Sequence, residues 1–130
     1  MSSGEISGGC ACGAIRYAAA GPVKFALRCA CRDCQHDSGA GHGIHVGVPR
    51  DGFAVTGSPT IYTRMGDSGA AVHKAFCPTC GCPLYGLADR APSTVLLVAG
   101  SLDDPARITP RKVIWRQSAQ PWDLLPEDIP

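Results

Sequence analysis

Cys29, Cys31 and Cys34 fall in the stretch Cys29-Ala30-Cys31-Arg32-Asp33-Cys34. Three thiolates so spaced can close on one metal ion and leave one of its four tetrahedral positions free, and a free position is what separates a reactive zinc from a structural one. Water or a substrate thiol would take that position. The metal would hold the thiol as thiolate or polarise a carbonyl oxygen, beside Arg32 and Asp33 as charge partners. Four other cysteines form two distant pairs, Cys10 with Cys12 and Cys77 with Cys80. One ion shared by all four would be enclosed and would staple the start of the chain to its second half. Cys82 stands just past the second pair, and it or a histidine is the alternative fourth ligand that would close the first cluster as well.

Four histidines, His36, His42, His45 and His73, are available for proton transfer. His36 is the expected shuttle because it follows Cys34 most closely. Ser38 and Gly39 either line the pocket with a hydroxyl and an amide or form a turn after the cluster. Asp103 and Asp104, before Pro105, read as turn residues. Trp115 and Trp122 are expected to complete the core of a chain with few aromatics.

The elements that must carry these residues are short. With 16 glycines and 11 prolines spread through 130 residues, brief strands joined by turns are the natural reading. Ser7 to Gly13 reads as a tight glycine turn around a metal, feeding a strand from Ala14 to Ala19. Val23, Phe25 and Leu27 alternate with polar or small residues, so a half-buried strand delivers its far end to Cys29. Arg32 to Ser38 suits a single helical turn. Ile44, Val46 and Val48 mark the next strand, ended by Pro49. Strands over Phe53 to Thr56 and Ile61 to Met65 follow, with hairpins as the expected connection. Val72 to Phe76 leads into the knuckle Cys77-Pro78-Thr79-Cys80-Gly81. Leu84 to Leu87, the apolar run Thr94 to Ala99 and Val113 to Trp115 complete the set, the apolar run being suited to the centre of a sheet. No helix of ten residues is expected, and residues 1–130 read as one domain.

The formal charge of +1 gives no broad electrostatic footprint, so neither nucleic acid nor an anionic membrane is an expected partner. The run Val95 to Ala99 is too short to span a bilayer, and Met1-Ser2-Ser3-Gly4-Glu5 lacks the basic start and apolar core of a secretory signal. A cytoplasmic location is therefore expected. In a reducing compartment eight closely spaced cysteines point to metal rather than disulfides, and a bridge within Cys-x-Cys would be strained.

Taken in order, the segments GGCACGAIRY, CACRDCQHDSG, the VP and F of VPRDGF, FCPTCGCPLY, AGSLDDP, and the closing PW and DIP cover nearly the whole chain. As a set they resemble the glutathione-dependent formaldehyde-activating enzyme family, which also includes centromere protein V. The resemblance implies a mainly β fold, the β-tent of antiparallel sheets with zinc knuckles and few helical turns. It implies two zinc ions, a structural one on Cys10, Cys12, Cys77 and Cys80 and a catalytic-type one on Cys29, Cys31 and Cys34. The activity it implies is that of a carbon–sulfur lyase combining formaldehyde with glutathione to give S-hydroxymethylglutathione, or the reverse. A noncatalytic, zinc-stapled binding module is the alternative on the same fold. The sequence leaves the oligomeric state open.

Overall fold

The structure, a computed structural model, describes residues 5–66 and 68–130, so the expectations for residues 1–4 and for Asp67 lie outside the described residues. In chain order the elements are β1 (Ile6–Gly9), β2 (Arg16–Ala19), β3 (Phe25–Cys29), α1 (Arg32–Ser38), β4 (Gly43–Pro49), β5 (Ala54–Thr56), β6 (Thr60–Met65), β7 (Ala71–Phe76), β8 (Pro83–Ala88), β9 (Thr94–Val98) and β10 (Lys112–Ile114). They form a three-stranded sheet, β1-β2-β5, and a seven-stranded sheet, β10-β3-β4-β9-β8-β7-β6. The architecture is the mainly β one expected, with cysteine clusters at the strand ends. No helix of the described residues is long and apolar enough to cross a membrane.

Side chains alternate across a strand, so each strand of the large sheet feeds two environments. Val46 and Val48 of β4, Val95 and Leu97 of β9, and Leu84 and Tyr85 of β8 join the core with Tyr17 and Ala19 of β2. Leu97 is fully buried, which stabilises by roughly 2 kcal/mol relative to leaving it exposed. Tyr17, Phe53 and Tyr85 pack at tilted or edge-on angles with centroids 5.0 to 6.4 Å apart, and Tyr17 shares a 2.6 Å hydrogen bond with the Ser101 hydroxyl. The intervening residues point to the opposite face, where the rows His45 with Val98 and Lys74, Gly86 and Leu96 stand. The run Val95 to Val98 is continuously apolar because β9 is central in the sheet, with Val95 and Leu97 in the core and Leu96 and Val98 half-buried on the other face.

Several elements depart from the sequence reading. Ser7 to Gly9 belongs to strand β1, not to a turn. Gly8 can sit in a strand because a side chain there would collide with the Ser101 carbonyl and the Tyr17 hydroxyl, each 2.4 Å from an added Cβ. The strands over 53–56 and 61–65 exist, yet no hairpin joins them. β5 pairs with β2 in the small sheet, whereas β6 pairs with β7 in the large one. β10 runs parallel to β3, the other pairings being antiparallel. Residues 32–38 make a seven-residue helix rather than a single turn. Trp115 and Trp122 do not complete the core; they are 49% and 68% exposed, since the tyrosine–phenylalanine trio already fills it. Asp103 does more than turn the chain: its carboxylate takes both terminal nitrogens of Arg16 and the Ser7 hydroxyl, fastening β1 and β2 to the loop after β9.

Candidate metal centres and the adjoining pocket

Two hairpin-like knuckles bring the first four sulfurs together. Cys10 and Cys77 each open a tight turn closed by a backbone bond, Gly13 N–H to the Cys10 carbonyl (3.2 Å) and Gly81 N–H to the Cys77 carbonyl (2.8 Å). Gly13 and Gly81 take φ of +82° and +76°, which is why glycine stands at both places. A bulge between Ala75 and Phe76 re-aims the chain just before the second knuckle. The Sγ atoms of Cys10, Cys12, Cys77 and Cys80 lie within 4.8 Å of one another. Cys10 to Cys12 is 3.6 Å and Cys12 to Cys77 is 3.7 Å, close to the edge of about 3.8 Å of a tetrahedron with metal–sulfur bonds of about 2.3 Å. Backbone amides support the sulfurs as thiolates: Ile15 N–H donates to Cys10 and Cys80 N–H to Cys77. The N–H groups of Cys82 and then Cys12 lower the Cys80 thiol to about 6. This donor set fits a metal ion with no position left over.

The second cluster, Cys29, Cys31 and Cys34, has three sulfurs within 4.8 Å of one another. β3 ends at Cys29, held between β4 and β10. Cys31 caps α1, its sulfur accepting the Cys34 N–H at 3.4 Å. A thiol hydrogen bond from Cys34 lowers Cys29 to about 6, against burial; the same contact, with burial added, pushes Cys34 strongly up. Among the described residues no fourth cysteine, histidine or carboxylate atom joins this group, so it can hold a metal ion with one position open. Cys82 belongs to neither cluster; its sulfur contacts the Pro83 carbonyl at 3.5 Å.

Beside Cys34 opens a cavity of about 490 Å³ on the face of the large sheet away from the core. Cys34, Asp37 and Ser38 line one side, Gly43, Ile44 and His45 the floor, and Tyr62, Val72, Lys74, Leu96 and Val98 the far wall. The His45 Nε2 lies 3.4 Å from the Cys34 sulfur. Gly43 makes room for that ring, since an added Cβ would stand 3.2 Å from Nε2. Burial, then Lys74, lower His45 to about 4, so its imidazole is neutral at ordinary pH. Opposite, Lys74 Nζ sits 2.7 Å from Asp37 Oδ2, and Arg64 bonds Asp37 at 3.3 Å and Asp33 at 3.4 Å, tying α1 to β6 and β7. His42 contacts Asp123 at 2.7 Å and Arg28 at 3.2 Å.

An unfolded chain protonates His45 near its ordinary value of 6.5, whereas the folded one resists until about 4. Stability is therefore full above the first value and falls as pH drops towards the second, by about 2 kcal/mol between about pH 7 and 5. His45→Gln should flatten that slope in urea unfolding; an unchanged slope would remove the burial argument.

Placed against the sequence reading, the two sulfur groupings assemble as their spacing suggested. His36 is exposed on α1, 3.4 Å from the Arg32 guanidinium, and does not line the cavity. Ser38 is at the cavity rim, and its hydroxyl also donates to the Gln35 carbonyl and accepts the Ala40 N–H, so both readings of it describe the same residue. Gly39, at φ +71°, ends the helix. The sequence reading named His45 only as one of four histidines; its place on the β4 face opposite to that of Val46, where it pairs with Leu27 of β3, was the available signal. It also passed over Gln35, buried and bonded to the Ala30 and Ser118 carbonyls at 2.8 and 3.1 Å, which pins the helix to the C-terminal segment.

A family model described as glutathione-dependent formaldehyde-activating enzyme matches residues 5–118. Among solved structures, the crystal structure of a Rhodobacter sphaeroides protein is similar, with a TM-score of 0.59 and 21% identity over 82% of this chain and 98% of that one. At that identity the likeness concerns the fold. No curated protein matches the chain.

Proposed function

The chain belongs to the glutathione-dependent formaldehyde-activating enzyme family, and from that premise we propose a cytoplasmic carbon–sulfur lyase that makes or cleaves a thiol–aldehyde adduct, in the manner of an S-(hydroxymethyl)glutathione synthase. Two zinc ions are proposed, one on Cys10, Cys12, Cys77 and Cys80 for architecture and one on Cys29, Cys31 and Cys34 for reaction. The single observation carrying this reading is the three-sulfur group, with no fourth donor joining it among the described residues, beside a cavity. Bound there, zinc would supply Lewis acidity, holding a substrate thiol as thiolate or polarising the aldehyde oxygen.

The chain's own residues hold the reactants and the proton. The cavity beside Cys34 has room to hold the aldehyde against the thiol, and such positioning would supply much of the rate in an addition of two small molecules. The thiol sulfur forms a bond to the carbonyl carbon, the C=O π pair moves to oxygen, and the proton lost by the thiol ends on the new hydroxyl. His45 is assigned that proton because it lines the cavity with its Nε2 3.4 Å from the Cys34 sulfur; His36 does not line it. Ser38, at the rim of the cavity, is assigned the hydroxyl of the adduct as its hydrogen-bond partner. The test is formaldehyde-dependent consumption of glutathione and of other small thiols. Protein-dependent turnover is expected with at least one thiol; equal rates with and without protein across the panel would replace the enzyme by a binding module.

A further inference from the structure

The cavity beside Cys34 is far larger than formaldehyde requires and is walled by apolar side chains: Ile44, Tyr62, Val72, Phe76, Leu96 and Val98. A volume of about 490 Å³ is within the range of roughly 300 to 1,000 Å³ that holds ligands of drug size. Lys74 is the one lysine or arginine among the lining residues described, and Asp37, also in the lining, already neutralises it at 2.7 Å. Arg64 nearby is drawn off by Asp33 and Asp37, and His42 is held by Asp123. A thiol bearing two carboxylates would thus meet no unpaired cation in this lining, whereas an uncharged chain or ring would displace water from apolar walls.

Gly86 gives an independent indication. It is buried in β8, in the row between Lys74 and Leu96, and its backbone is not left-handed. An added Cβ would approach nothing nearer than the His73 carbonyl at 3.5 Å, an ordinary contact. Neither backbone geometry nor close packing demands glycine here; what the missing side chain leaves is cavity space. The apolar wall continues to the cluster through Val98, the cross-strand partner of His45.

We infer that this pocket receives the apolar group of an aliphatic or aromatic aldehyde, so that the substrate class is the hemithioacetal of such an aldehyde rather than that of formaldehyde. The inference rests on the carbon–sulfur lyase reading above. The addition is the same in atoms and electrons: the S–C bond forms, the C=O π bond opens and the thiol proton passes to oxygen, with no oxidant or reductant. Burial in apolar surroundings makes each added methylene worth about a fourfold gain.

The test uses the zinc-replete protein with one fixed thiol and the series formaldehyde, butanal, hexanal and benzaldehyde. In parallel, binding of the unreactive alcohols hexanol and benzyl alcohol is followed by calorimetry and by shifts of the Leu96 and Val98 methyl resonances. kcat/KM should rise at least tenfold from formaldehyde to hexanal, and both alcohols should shift those methyls. Gly86→Val should weaken alcohol binding at least tenfold with a melting temperature within about 3 °C of wild type. Alcohol binding without turnover of any pair would sink the lyase reading but keep the apolar pocket. Formaldehyde turnover with no alcohol binding and no rise along the series would overturn the inference alone.

Discussion

Cys77→Ser yields aggregated protein with no cooperative melting transition, while Cys82→Ser remains soluble and keeps both metal ions. Cys77 is fully buried at the junction of β7 and its knuckle, 3.7 Å from the Cys12 sulfur, with its amide bonded to the Cys82 carbonyl at 3.0 Å. Apparent binding energies of structural zinc run to about 10 to 16 kcal/mol in small peptides, against a total domain stability of about 5 to 15 kcal/mol. Weakening the four-thiolate site therefore removes a quantity as large as the stability itself, and a buried serine hydroxyl adds to the cost. Cys82, in neither cluster, is the control for a generic effect of removing a thiol. Soluble yield, circular dichroism and metal analysis decide it. A Cys77→Ser protein that folds and binds two ions would show that this cluster is not the architectural one.

Cys31→Ser is expected to do the opposite: a folded protein with one ion instead of two, and turnover reduced about a thousandfold. The fold survives because Cys31 acts at the N-cap of α1, where serine is among the preferred residues and its hydroxyl can accept the Cys34 N–H as the sulfur does. Reactivity does not survive, since a hydroxyl is a poor substitute for a thiolate ligand. Losing a Lewis acid worth several kcal/mol in the transition state gives about that factor in rate. Metal content by mass spectrometry, melting temperature and kcat/KM separate the outcomes. Should Cys31→Ser melt as poorly as Cys77→Ser, the division into a structural and a reactive centre fails.

How far the sequence spoke depended on the range of the physics involved. Cysteine spacing is local within each pair, and a metal's small radius forces the grouping, so both sulfur clusters were legible. Alternation along Val23 to Leu27 and Ile44 to Val48 marked β3 and β4 for the same reason. Partners were not legible. Nothing inside Ala54 to Thr56 says that it pairs with β2 and not with β6, and nothing inside Lys112 to Ile114 announces a parallel neighbour. Gly8 concealed β1 because its role is to admit Tyr17 of the next strand and Ser101, which lies far away in the chain. His45 looked like any polar residue alternating with apolar ones; its meaning comes from Cys34, delivered to it by a different element. The exposed tryptophans misled because size alone argued for burial, while the interior was already occupied.

β9 places Val95 and Leu97 in one compartment and Leu96 and Val98 in another. Even and odd positions of a five-residue segment thus face separate packing demands. Exchanging Leu96 or Val98 for residues of other bulk should reshape the cavity without touching the layer that makes the protein fold. An inserted or deleted residue in that segment has no such freedom, because it would swap the two sets at a stroke.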